Sequence, residues 1–529
     1  MGFLFTVLYL IITIISPAQF GPEWANYHAL LYLAGITTLT SLPSILTQPH
    51  LRSSIQTYLL LGFVVAIGLS QVANHWFGGA IQSWLAFLPS AAVYFFIVAN
   101  VTTVRRLKIV TLAAVASCLV LVIEALCGYY RGFLGDTFVL KMNFGSNGQA
   151  VGQILRLRGA GFLNDPNDFA QMLLIALPLI FIAWRQGRIL ANSLFVLTPA
   201  ALLLWATYLT HSRGALIGLG VLGLVAARKK VGTAASVVLA SVLALGLLAL
   251  DFTGGRGISA SEGADRLEAW ATGLELFKHS PIFGVGFGNF TNFSEITAHN
   301  SIVLCLAELG LVGGTIWLAL LVTTTMSLNV LIALREELAM TFGGRNQIPN
   351  LSAEGDDAET ASDFPFDVDR AASFENQSID GGHELSTEAD RVEVVRMEEQ
   401  SSEAIADYEA LDASGETVPC FPSLAATTEV AAANEVATPI EMESVHEPIV
   451  PSNCLVVIRL ALIAFMTTSW FLSRVYETTM YLVLGLATAA IALEPSFTET
   501  RNRGRWMPVT LAVAVLAIVF IYFVVRFRH

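Results

Sequence analysis

Apolar runs of bilayer-spanning length recur along nearly the whole of this chain, and they restrict its fold more than any other feature. A backbone in contact with lipid must satisfy its own hydrogen bonds, so only helices and closed barrels span a membrane. Runs this long and continuous suit helices, because a barrel strand needs only about ten alternating residues. Candidate spans are residues 2–18, 28–47, 57–74, 82–100, 107–127, 168–184, 193–209, 213–227, 232–250, 300–333, 454–473, 477–493 and 508–525. The expected fold class is all-α: a polytopic transmembrane helical bundle of roughly 12–13 spans, with outer-face loops forming the site. Charged residues make up 13% of the chain, against about 25% in a soluble domain. The first run resembles a signal h-region but lacks a basic flank and a cleavage site, so it reads as an uncleaved helix.

Net charge is −13, but its distribution is uneven. Residues 336–450 hold 27 acidic side chains and only four basic ones, which leaves 25 basic against 15 acidic elsewhere. The chain is a basic membrane body carrying one acidic insertion, rich in Ala, Ser and Thr and expected to be disordered. Four domains follow: N-terminal membrane helices over 1–150; a membrane core over 151–335, with an outer loop at 251–299; the insertion over 336–453; and C-terminal membrane helices over 454–529. The five cysteines form no CxxC or Cys/His cluster, so neither a disulfide framework nor a metal site is expected, nor any cofactor. Nothing in the pattern points to nucleic acid; the lipid bilayer is the evident partner.

Basic residues alternate between the spans. Arg52, Arg105–Lys108, Arg185 and Arg188, Arg228–Lys230, Arg335 and Arg501–Arg505 share one side if every run crosses, and that side is cytoplasmic by the positive-inside rule. The opposite, outer face receives residues 128–167, 210–213 and 251–299. These carry Arg131, Lys141, Arg156, Arg158, Arg213, Arg256, Arg266 and Lys278, a basic load where topology disfavours it. Either long loops cross regardless of charge, or the cations bind an anion. The run 300–333 would extend about 50 Å against an apolar core of roughly 30 Å. Gly310, Gly313 and Gly314 interrupt it, so residues 299–309 are expected to form a separate helix beside the outer loops.

Three motifs stand in these loops. In RLRGAGFLNDPNDFAQ, residues 156–171, Arg158 precedes a glycine-rich turn and an Asn/Asp cap (Asn164, Asp165, Asn167) opening the next helix. An arginine near exposed helix N–H groups is an anion site; the plain alternative is a loop-to-helix junction. In Thr210-His211-Ser212-Arg213-Gly214, Arg213 sits at the membrane edge, where a guanidinium is functional by default. His211 reads as a packing or capping residue, with general base as the alternative. In residues 265–300, Arg266, Trp270 and Leu274 share one face of a short amphipathic helix, followed by Pro281 and the run GVGFGNF. Those glycines lack the preceding strand and spacing of a dinucleotide fingerprint. His299 is a candidate base for a hydroxyl proton, or else a helix cap, and Asn300 follows it at the helix start. Glu308, nine residues on, cannot face His299 along one helix and reads as a partner for an outer arginine.

In this order the motifs make the chain resemble the O-antigen ligase and O-antigen polymerase superfamily. The likeness runs from about residue 150 to 330: Arg158 with GFLNDPN, Ser-Arg-Gly at 212–214, Arg266 with Trp270, PIFGVGFGNF, and HN followed by ELG. The resemblance implies a glycosyltransferase of the bacterial inner membrane, active at the periplasmic face without a metal. The implied donor is a glycan on undecaprenyl diphosphate. The implied acceptor is a hydroxyl of lipid A core, a polysaccharide or a protein. By position, His299, Arg213 and Arg266 take catalytic roles, and Arg158, Asn164, Asn167 and Asn300 bind substrate. The 251–299 loop is short for a lipid A ligase, and the acidic insertion is foreign to the pattern. A transporter or flippase for an anionic or lipid-linked substrate is the alternative; it calls for ionisable residues near mid-membrane and often two similar halves. Here such residues gather at the outer edge instead.

Overall fold

The computed structural model describes residues 1–17, 29–146, 149–249, 260–343, 450–494 and 506–527. The expected all-α bundle is what forms. In chain order come α1 (Gly2–Ile15), α2 (Ala29–Thr47), α3 (Ile55–Ala73), α4 (Phe77–Asn100) and α5 (Val104–Arg131). A hairpin of β1 (Val139–Ser146) and β2 (Gln149–Leu157) follows, then α6 (Pro166–Leu179), α7 (Thr198–Leu209), α8 (Arg213–Ala249) and α9 (Ala260–His279). The last four are α10 (Ser301–Gly343), α11 (Ser452–Ser469), α12 (Thr478–Ala492) and α13 (Trp506–Arg526). Among the described residues, nine helical segments are long and apolar enough to cross a membrane, and three shorter apolar helices accompany them. This is a multi-pass membrane protein. Residues 344–449, most of the expected acidic insertion, lie outside the described residues, as do 251–259 of the expected outer loop and the basic cluster at 501–505.

Two kinds of apolar helix are distinguishable by what they face. α13 and α2 present Leu511, Leu516, Phe520, Leu31 and Leu39 outward, as lipid-facing helices do. α12 is buried from Thr478 to Ile491, packed on α4, α10 and α11. At 15 residues it spans about 22 Å, short of the roughly 30 Å apolar core, and a helix apolar all round belongs inside. Polar locks tie the helices where lipid offers no partner. Asn100 donates to Thr6 Oγ1 at 3.1 Å and Ser41 Oγ at 2.8 Å, joining α4 to α1 and α2. Arg335, in the distal part of α10, pairs with Glu494 just beyond α12.

The helix break expected in the 300–333 run falls at Gly310, whose φ of 63° and ψ of −159° leave the helical region. A broken helix frees backbone groups that lipid cannot satisfy, and here the turn after α9 takes them up. Val285 and Gly286 donate to the carbonyls of Ala307 and Glu308 at 2.9 and 3.0 Å; Leu311 and Val312 donate back to Pro281 and Ile282 at 2.8 and 3.1 Å. The two backbones meet so closely that a Cβ on Gly284 or Gly310 would overlap the opposite chain. α3 holds the same turn from behind: Gln71 donates to the Phe287 carbonyl at 2.8 Å and Asn74 to that of Gly284 at 2.9 Å.

The β-hairpin was not expected; residues 128–167 read as loop. β1 and β2 pair antiparallel, with Leu140 across from Arg156 and Met142 across from Ile154. Glycines at 145, 148 and 152 dilute the alternation by which a strand would be recognised.

Candidate functional site

Three helices begin around one cavity of about 600 Å³. The starts of α6 (Asp165, Asn167) and α8 (Ser212, Arg213, Gly214) and the residue preceding the α10 cap (His299) line it. α9 supplies Asp265 and Arg266, the hairpin supplies Leu140, Met142 and Arg156, and the end of α11 supplies Thr468, Phe471 and Leu472. Each helix start has its cap. Asp165 Oδ1 accepts the Asn167 N–H at 2.8 Å, ahead of Pro166 in the first turn. Ser212 Oγ accepts from Ala215 at 3.4 Å, and Asn300 Oδ1 accepts from Ile302 and Val303 at 2.9 and 3.1 Å. Helix N-termini carry partial positive charge, and three of them join three guanidinium groups around this volume. The remaining wall is apolar, formed by Leu140, Met142, Ile217, Ile296 and Phe471.

Of the residues expected from sequence, Arg213, Arg266, His299 and Asn167 line the cavity together. Asn300 lies behind it as the cap of α10, so the capping role open to His299 belongs to its neighbour. Arg158 and Asn164 do not line it. Arg158 reaches the carbonyls of Thr137 at 2.9 Å, Asp136 at 2.6 Å and Asn164 at 3.4 Å, and so pins the hairpin base to the turn before α6. Arg156, two residues earlier, occupies the cavity in its place. It is 3% exposed, donating to the Thr210 carbonyl and to Asn167 Oδ1, both at 2.9 Å. Strand pairing across from Leu140 directs it there, which the unrecognised hairpin hid from sequence reading.

His299 is held in a costly conformation. Its φ is 45°, and a non-glycine residue persists there only when its surroundings fix it. Trp270 Nε1 donates to the Ala298 carbonyl at 2.9 Å, and Asn300 caps the helix on the other side. Burial lowers the affinity of the imidazole for a proton, the Arg266 charge lowers it further, and Asp165 acts in the opposite sense. The ring is therefore neutral at neutral pH and able to accept a proton.

Glu308, read from sequence as the partner of an outer arginine, bonds elsewhere. Its carboxylate accepts the Phe290 N–H at 3.1 Å and the Tyr476 hydroxyl at 2.8 Å, fixing the GVGFGNF turn to the loop between α11 and α12. Sequence reading also missed Arg474 in that loop, which is 3% exposed, bonded to Asp168 at 2.9 Å and to the Phe162 carbonyl at 3.3 Å. Its backbone N–H meets Ser301 at 2.9 Å, so the starts of α6 and α10 are tied through one residue. Nothing near it in sequence marks it out.

The fold and site define a multi-pass helical membrane protein with an arginine–histidine cavity where helix N-termini converge. An O-antigen ligase family model matches residues 198–318, so over that stretch the chain is similar to that family. The matched stretch contains Arg213, Arg266 and His299. It supports a ligase- or polymerase-type function in general. No curated protein and no solved structure matches the chain.

Proposed function

We infer that this protein is a metal-independent glycosyltransferase of the bacterial inner membrane, moving a glycan from an undecaprenyl-diphosphate carrier to an acceptor hydroxyl at the periplasmic face. The observation that carries the reading is the convergence of Arg156, Arg213 and Arg266 with three helix N-termini and His299 on one cavity. Guanidinium groups bind phosphate oxygens bidentately, and helix N-termini add donors already oriented. A diphosphate seated there is stabilised as a leaving group where its negative charge develops. The apolar wall suits the carrier's prenyl chain. Every charged residue lining the cavity, and His299, belongs to a segment that the alternation of basic residues assigns to the outside.

His299 takes the acceptor's proton as the acceptor oxygen attacks the anomeric carbon, and the bond to the diphosphate breaks on the opposite side, inverting that centre. The acceptor is lipid A core, a polysaccharide or a protein. The test uses a strain lacking the gene. Arg213→Ala and His299→Ala, expressed at wild-type levels, are expected to leave the cell without long-chain surface glycan. Normal glycan with both variants would refute the assignment.

A further inference from the structure

Two carboxylates, Asp165 and Asp265, share the cavity with the three guanidinium groups. A site that only gripped an anion gains nothing from negative charge on its wall. Asp165 has one evident task, capping α6 through the Asn167 N–H at 2.8 Å. Asn and Ser cap a helix as well as Asp does, so capping does not account for the charge. Asp165 lines the same cavity as His299 and acts on its ring. The charged groups that line the cavity with the imidazole are Arg266 and Asp265 from α9, Arg213 from α8, Arg156 from β2 and Asp165 from the cap of α6. The end of α11 contributes Thr468, Phe471 and Leu472, none of them charged. Arg266 and Asp165 act on the ring with opposite signs.

We propose that Asp165 is a positioning residue of the transfer site, the counter-charge to His299 during proton transfer, and that a diphosphate seated on Arg266 readies His299 for that step. This rests on the glycosyl-transfer reading above. Before donor binding, burial and Arg266 hold the imidazole neutral and weakly basic. A bound diphosphate offsets the Arg266 charge, which leaves the opposing influence of Asp165 to strengthen the base. The acceptor's O–H proton then moves to His299, its oxygen bonds to the anomeric carbon, and the electron pair of the broken bond leaves on the diphosphate. The imidazolium so formed shares the cavity with Asp165. Base strength thus rises only once a donor is in place, which orders proton transfer after donor binding.

Of the two forms of imidazole, diethyl pyrocarbonate acylates only the neutral one, so its rate at His299 against pH titrates that residue in the purified full-length protein without any glycan. The modified peptide is quantified by mass spectrometry. Asp165→Asn, which retains the cap, is expected to move the midpoint to lower pH by about 0.5–1 unit, a three- to tenfold change in proton affinity. Asp165→Ser, a second capping substitution, is expected to do the same. Saturating inorganic pyrophosphate is expected to move the wild-type midpoint upward. An unmoved midpoint in a folded Asp165→Asn or Asp165→Ser protein overturns the pairing. A wild-type midpoint that ignores pyrophosphate overturns the donor-linked half. The shift needs no turnover, so the expected shift in a protein that transfers no glycan would keep the Asp165–His299 pair and sink the glycosyl-transfer reading instead.

Discussion

Arg156 and Arg158 are two residues apart and chemically identical, yet they do different work. Arg158 spends its guanidinium on three backbone carbonyls, whereas Arg156 reaches the cavity wall beside Asn167. Arg158→Ala is therefore expected to cost about 1–3 kcal/mol of stability through carbonyls left short of a donor. Turnover per folded molecule stays unchanged, which thermal unfolding and an in vitro transfer assay would separate. Arg266→Ala is expected to retain the fold and lower turnover by about 10²–10³, the usual effect of removing one donor from a developing charge. His299 yields a pH prediction with a definite sign. Its active form is neutral, and its proton affinity is below that of an ordinary histidine. Measured as kcat/KM for the donor, which reports the donor-free protein, transfer should hold level down to about pH 6.5 and decline only below it, as the ring protonates. A decline beginning above pH 7 would contradict this.

At the scale of elements, the junction between the turn after α9 and the break in α10 ties together the two segments that flank His299 in the chain. Four backbone hydrogen bonds cross it, and Gly284 and Gly310 lie in contact with the opposite backbone. Gly310→Ala restores helix propensity, but the site requires a positive φ and space a methyl group would fill. We expect it to destabilise the protein by more than about 1–3 kcal/mol and to abolish transfer, measured as a lowered unfolding temperature in detergent together with lost activity. A more stable Gly310→Ala protein would show that the break is not built in. The break itself was readable from sequence, because a 34-residue apolar run with three glycines cannot cross straight. The partner of the break was not. Four bonds between segments some 25 residues apart leave no periodic signature, and the glycine run read as an irregular turn.

For the whole molecule, the helical bundle and the order of its apolar helices were legible because lipid imposes long apolar runs, and Arg213 stood out in the sequence because charge at a membrane edge is expensive. What stayed hidden depends on chain segments meeting in space: the hairpin that steers Arg156, the tie through Arg474, and Asp165, which read only as a cap. The arrangement makes one global demand, that the cavity open on the side opposite the basic loops. Glu295, next in the chain to the cavity-lining Ile296, is exposed, and Gln186 is exposed between Arg185 and Arg188, beyond α6. In a protein whose native cysteines are replaced, Glu295→Cys should react with a membrane-impermeant maleimide in intact cells. Gln186→Cys should react only once the inner membrane is permeabilised. The reverse pattern would place the arginines on the cytoplasmic side, where positive charge is ordinary, and the cations would then need no ligand to explain them.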